Sequence, residues 1–168
     1  MKERPKIELT LTTTDRVLEI LGWGSVFAIW ALTVASYGNL PDTIPTHFDG
    51  GGEADAFGGK SSLWSLPIIA TLLFIAMTIL NKYPHIFNYP TKITADNAPK
   101  QYANATRIIR YFKFAVVLIF GLIAFKIIQN ANGKADGIGG WFLPLTMGLV
   151  FIPSIYFIVK SYADRKAK

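Results

Sequence analysis

Long uncharged runs constrain this chain more than any other feature. Twenty-two residues without a charge separate Glu19 from Asp42, 21 separate Lys60 from Lys82, and 23 separate Asp136 from Lys160. A helix needs roughly 20 predominantly apolar residues to cross a bilayer, so each run is long enough. A further segment, from Ile108 to Gln129, keeps only the 12 residues from Phe114 to Phe125 free of charge, with Lys113 and Lys126 at its ends. Long lysine stems carry their ammonium groups to the interface, so this segment also spans. The expected fold is therefore an all-α integral membrane protein with four transmembrane helices, at about 17–38, 61–82, 106–130 and 139–161. A loop, 39–60, joins the first two, and a connector, 83–105, joins the second and third. A soluble bundle of the same 51% hydrophobic composition would have too little remaining sequence to cover four helices buried all round. The first apolar run exceeds the roughly 7–15 residues of a signal-peptide core and no A-x-A site closes it, so it reads as a retained anchor in a single domain, 1–168.

Orientation follows from lysine and arginine, which are retained on the cytoplasmic side in short loops. Lys2, Arg4, Lys6 and Arg16 precede the first helix. Lys82, Lys92, Lys100, Arg107, Arg110 and Lys113 lie around the connector, and Lys160, Arg165, Lys166 and Lys168 end the chain. These are 14 of the 17 basic residues; only Lys60, Lys126 and Lys134 fall on the other side. Both termini are thus expected in the cytoplasm, with loop 39–60 facing outward from the cytoplasmic membrane. Tyr37, Trp64 and Trp141 at outer ends, and Tyr83, Tyr111, Tyr156 and Tyr162 near inner ends, suit the headgroup level. The net charge of +6 then expresses topology and affinity for anionic lipid, and no nucleic acid is expected as a partner. With no cysteine, disulfides cannot order the outward loops.

A weak internal echo links Gly59-Lys60 and Trp64-Ser65-Leu66-Pro67 with Gly133-Lys134 and Trp141-Phe142-Leu143-Pro144. It is open to two readings: two repeated helical hairpins, or a shared preference of Trp and Pro for outer helix starts. Trp23 and Trp30, seven apart, fall on one face of the first helix and are expected to pack. The spans hold no acid or histidine between their ends, which speaks against a proton-coupled transporter. Glu19 is expected to pair at the surface with Arg16, and Lys126 either to snorkel outward or to meet an acid from the outward loop. In the connector, Pro84, Pro90 and Pro99 favour irregular structure. From Lys100 onward the pattern turns helical, and Arg107, Arg110 and Lys113 fall within about 120° of one another at 100° per residue. Such a basic face suits the membrane surface, with docking of a cytoplasmic partner as the alternative.

The stretch "LPDTIPTHFDGGGEADAFGGK", residues 40–60, gathers four of the eleven acids and one of the two histidines. Pro41 and Pro45 set an extended path, Ile44 and Phe48 are apolar enough to lie against the bundle, and the glycines after Asp49 allow a flexible reversal. His47, Asp49, Glu53 and Asp55 are weak candidates for a metal set: zinc usually draws on more than one histidine or thiol, and the acid spacing does not fit an EF-hand. A ligand or peptide surface, or a cap over the outer bundle, are the other readings. No nucleophile–base pair or phosphate loop is visible, so neither an enzyme nor a cofactor is expected.

The pattern L-P-D-x-I-P-x-H-F, then G-x-x-D-x-x-G-x-K, then a Trp-led apolar helix, resembles the DUF1648 family of bacterial membrane proteins. The segments "NKYPHIFNYP", "QYANATRIIRYF" and "ADGIGGWFLP" are similar to single-domain members as well. The family's shared residues map onto Pro41, Pro45, His47, Gly52, Asp55, Gly58 and Lys60; Asp42, Asp49 and Glu53, read from the acidic character of the stretch itself, complete the candidate set. The same domain begins the SdpI-type proteins, membrane immunity factors against a secreted toxic peptide that also signal by holding a repressor at the membrane. This chain carries no copy of their second, defining helical region. The resemblance implies a binding, sensing or immunity-like protein that uses its outward loop, with an external peptide as partner. The alternative is an accessory subunit of another membrane protein.

Overall fold

The computed structural model describes residues 4–166; Lys2 and Lys168 lie outside the described residues, as do the side chains of Arg165 and Lys166. The elements in order are α1 (Thr13–Tyr37), β1 (Thr43–Phe48), β2 (Ala54–Gly59), a 3-10 turn (Lys60–Trp64) leading into α2 (Ser65–Leu80), a short 3-10 turn (Pro84–Ile86), α3 (Ala98–Ala131) and α4 (Phe142–Lys166). Four helical stretches are long and apolar enough to cross a membrane, Thr13–Tyr37, Lys60–Leu80, Ala98–Ala131 and Phe142–Ala163. Ile20, Phe27, Leu72, Ile152 and Val159 are each more than 60% exposed, which would be an aggregation liability in water and is at home against lipid.

Two helices begin earlier than the apolar runs suggest, for reasons of local chemistry. At α1, Thr12 accepts from the Asp15 amide (3.3 Å) while the Asp15 carboxylate accepts from the Thr12 amide (2.9 Å), a reciprocal cap of the first turn. At α3, Pro99 sits within the first turn, where a missing N–H costs nothing, so it starts the helix instead of prolonging the connector. Thr94 and Asn97 exchange backbone-to-side-chain bonds just ahead of it.

α3 packs against α1, α2 and α4 and carries more of the core than any other element. Val26 and Ile29 of α1 meet Ala70 and Phe74 of α2 and Val117, Ala124, Ile127 and Ile128 of α3. Gly22 lets α1 approach α2: a Cβ there would lie 2.6 Å from the Phe74 ring. Trp30 donates from Nε1 to Thr71 Oγ1 (3.0 Å), and Trp23 meets Phe74 edge-on, so both tryptophans pack between helices. α4 is held differently, for none of its described side chains is buried. Both W-x-L-P segments open a helix, with Trp immediately before the first helical residue and Pro at the third.

The basic face of α3 points into the bundle and not outward to lipid. Arg107, Arg110 and Lys113 turn inward to α1. Arg107 Nε donates to Asp15 Oδ1 (2.9 Å), Arg110 Nε to Glu19 Oε1 (3.1 Å), and Lys113 Nζ to Glu19 Oε2 (2.6 Å) and Thr78 Oγ1 (2.9 Å). Lys113 is fully buried, its ammonium 4.5 Å from the centre of the Phe74 ring. The expectation of a lipid-facing patch fails because two carboxylates one turn apart on α1 offer these cations partners in a partly dehydrated place, where an unpaired charge is costly. Glu19 accordingly pairs across to α3 rather than with Arg16.

Candidate binding face at the hairpin

Residues 40–60 form an ordered antiparallel hairpin within an otherwise helical chain, and the reversal after Asp49, expected to be flexible, is a bonded turn. Thr43 pairs with Gly59, Ile44 with Gly58, Pro45 with Phe57, His47 with Ala56 and Phe48 with Ala54, with irregularities on either side of His47. β-branched Thr43, Ile44 and Thr46 favour the extended path. Asp49 builds the turn: its Oδ1 accepts from the amides of Gly51 and Glu53 (both 2.9 Å), and its own amide donates to Glu53 O (2.9 Å). Gly52 takes a positive φ of 86°, which a glycine adopts without strain.

The hairpin is fastened to the bundle at both ends. Leu40 and Ile44 are buried with Leu63, Ile127 and Ile128, and burying a side chain such as Ile44 is worth about 2 kcal/mol. At the tip, Gly52 O accepts from the Ile138 amide (2.6 Å), and a Cβ at Gly52 would lie 2.7 Å from the Gly139 carbonyl carbon. Asn130 orders the receiving loop by donating to Lys126 O (2.7 Å) and Gly137 O (2.9 Å) and accepting from the Gly137 amide (2.5 Å). Ion pairs are secondary. His47 Nδ1 meets Asp55 Oδ1 at 2.5 Å with side chains 68% and 47% exposed, and pairs so open to water contribute roughly 0–1 kcal/mol. Lys60 bonds Asp42 Oδ1 (3.0 Å) and Leu40 O (3.4 Å) at the hairpin base.

Between one hairpin face and the α3–α4 loop lies a shallow cleft of about 530 Å³. Thr43, Pro45, Glu53, Phe57, Asn130 and Asp136 are among the residues that line it. Glu53 and Asp136 bring two carboxylates to this cleft, and Phe57 is 63% exposed. The sequence-derived candidates divide accordingly. Pro45 and Glu53 reach the cleft; Asp42, Lys60, His47 and Asp55 form pairs along the hairpin; Asp49, Gly52 and Gly58 shape its backbone, and Pro41 precedes β1. The four metal candidates do not converge, and among the described residues no three His, Asp or Glu side chains come together as a metal site. Lys126 reaches no acid of the stretch; its ammonium lies 5.9 Å from the Trp141 ring centre. Asn130 and Asp136 were not legible as site residues, since only the folded loop brings 130–137 beside the hairpin, and Phe57 was not, since only the strand register turns it to that cleft. Away from the spans, burial pushes the Tyr89 hydroxyl well above the ordinary phenol range, so it stays a neutral donor to Pro84 O (2.8 Å).

Residues 24–71 match the family model DUF1648, a domain of unknown function. The matched segment runs from α1 through the hairpin into the first turns of α2, so the hairpin is its centre. An uncharacterized protein of Archaeoglobus fulgidus is 31% identical over 121 residues, covering 67% of this chain and 65% of the relative. The match therefore spans less than two thirds of that relative's length. No solved structure matches the chain.

Proposed function

We propose, taking the DUF1648 hairpin as the premise, that this is a membrane-embedded binding protein whose outward cleft receives a cationic segment of an external peptide. The observation that carries the reading is the cleft itself: Glu53 and Asp136 share it with the exposed Phe57 ring. Carboxylates at a concave rim draw cations in and favour their retention, and an exposed aromatic gives an apolar contact. The lysine and arginine bias supports an orientation with both termini in the cytoplasm of a bacterial cell and the cleft outside. The resemblance to SdpI-type proteins supports sensing of, or immunity to, a toxic peptide as the biological use. The role is non-catalytic.

The test is a titration of the full chain in neutral phosphatidylcholine nanodiscs with a labelled lysine-rich amphipathic peptide. Glu53→Gln combined with Asp136→Asn should weaken binding roughly three- to tenfold, the scale of one or two partly exposed charge pairs. Equal affinity of wild type and double variant sinks the reading. A second reading, an accessory subunit, is favoured by α4, whose described side chains are all at least partly exposed. Crosslinking in membranes followed by purification should then recover a stoichiometric membrane partner, and recovery of the lone chain counts against it.

A further inference from the structure

At the opposite end of the bundle, under the connector between α2 and α3, lies a cavity of about 510 Å³, inside the roughly 300–1,000 Å³ range of small-ligand sites. Its deeper wall is apolar: Leu80 ends α2, Ile108 and Ile109 come from α3, and Phe157 and Ile158 from α4. Ile86, Phe87 and Tyr89 of the connector form a partial, open roof over it. That roof is braced, because Arg4 donates to His85 O (3.1 Å) and Phe87 O (2.6 Å) and lies 5.7 Å from the Tyr89 ring centre. The far end is polar, where Ser161 Oγ donates to Gln101 Oε1 (3.0 Å) beside Asn104.

The height of the cavity says what it meets. α3 has 34 residues and is about 51 Å long, against a hydrocarbon thickness of roughly 30 Å. Its uncharged centre, 114–125, must occupy the hydrocarbon, which leaves 101–109 at the boundary between acyl chains and headgroups. The polar end of the cavity points away from the bilayer centre and the apolar end toward it. Lys100 and Lys160 neighbour Gln101 and Ser161 in sequence, and Arg4 braces the roof, so cations prevail at the headgroup level even with Asp96 just ahead of α3.

We propose that this cavity holds one acyl chain of an anionic phospholipid from the leaflet on the side of the termini, with its phosphate at the level of Gln101 and Ser161. The apolar wall takes the chain, the Gln101 amide and Ser161 hydroxyl face the headgroup, and the excess of positive charge at this end of the bundle favours the phosphate. A cavity of this volume admits one chain, and the rest of the lipid stays in the bilayer.

The full chain is reconstituted into vesicles containing phosphatidylglycerol with a photoactivatable diazirine on one acyl chain, and adducts are mapped by peptide mass spectrometry. Adducts on 101–109 and 157–161 should exceed those on the exposed first half of α4. Ala105→Phe or Ile158→Trp should lower the cavity adducts about tenfold, the effect of displacing roughly two methylenes from an apolar site. Adducts spread evenly along α4 in the wild type overturn the proposal, as do cavity adducts unchanged in both variants. The wild-type map decides the matter even if a variant fails to fold.

Discussion

Lys113 lies 94 positions from Glu19 in the chain and has no water to turn to, so its ammonium depends on that carboxylate, the Thr78 hydroxyl and the face of Phe74. Lys113→Met should cost about 3 kcal/mol, the low end for breaking a buried pair, because Glu19 keeps Arg110. Glu19→Gln should cost a similar amount by stranding the ammonium. The double variant should recover more than half of either loss, since it removes both members of the pair. Unfolding midpoints of the four proteins in detergent measure this coupling, and simple additivity would refute it. The sequence could not show the arrangement: a basic stripe at helical spacing looks the same whether it faces lipid headgroups or acids on another helix.

The hairpin is an element whose strength lies in backbone geometry more than in its charges. Gly52→Ala meets both a positive φ and the Gly139 backbone, and should cost roughly 1–3 kcal/mol and loosen the tip. Gly50→Ala, where an added Cβ meets nothing within 4 Å, should be nearly silent. Hydrogen exchange at the β1 and β2 amides is the measurement, and equal protection in the two variants would show that the tip contact does not hold the hairpin. The spans were legible because some 20 uncharged residues admit few readings. The strands were not, because six-residue segments laced with proline and glycine resemble loop, and the Asp49 turn shows its order only through bonds to amides two and four residues on.

At the scale of the molecule, the absence of cysteine makes orientation directly measurable. A membrane-impermeant maleimide should label Thr46→Cys in intact cells and Lys92→Cys only after lysis; both positions are exposed. The reverse pattern would put the cleft in the cytoplasm and remove the external peptide as its ligand. The bond between Gly52 O and the Ile138 amide bears on how such a chain is assembled. It joins residues with all of α2 and α3 between them, so it can close only after α3 has crossed the membrane and delivered the next loop to the hairpin's side. During synthesis the tip must wait with its carbonyl unmet. The two-walled cleft therefore cannot exist until two further helices have been threaded, and a chain arrested before α3 is threaded displays a hairpin but no receptacle.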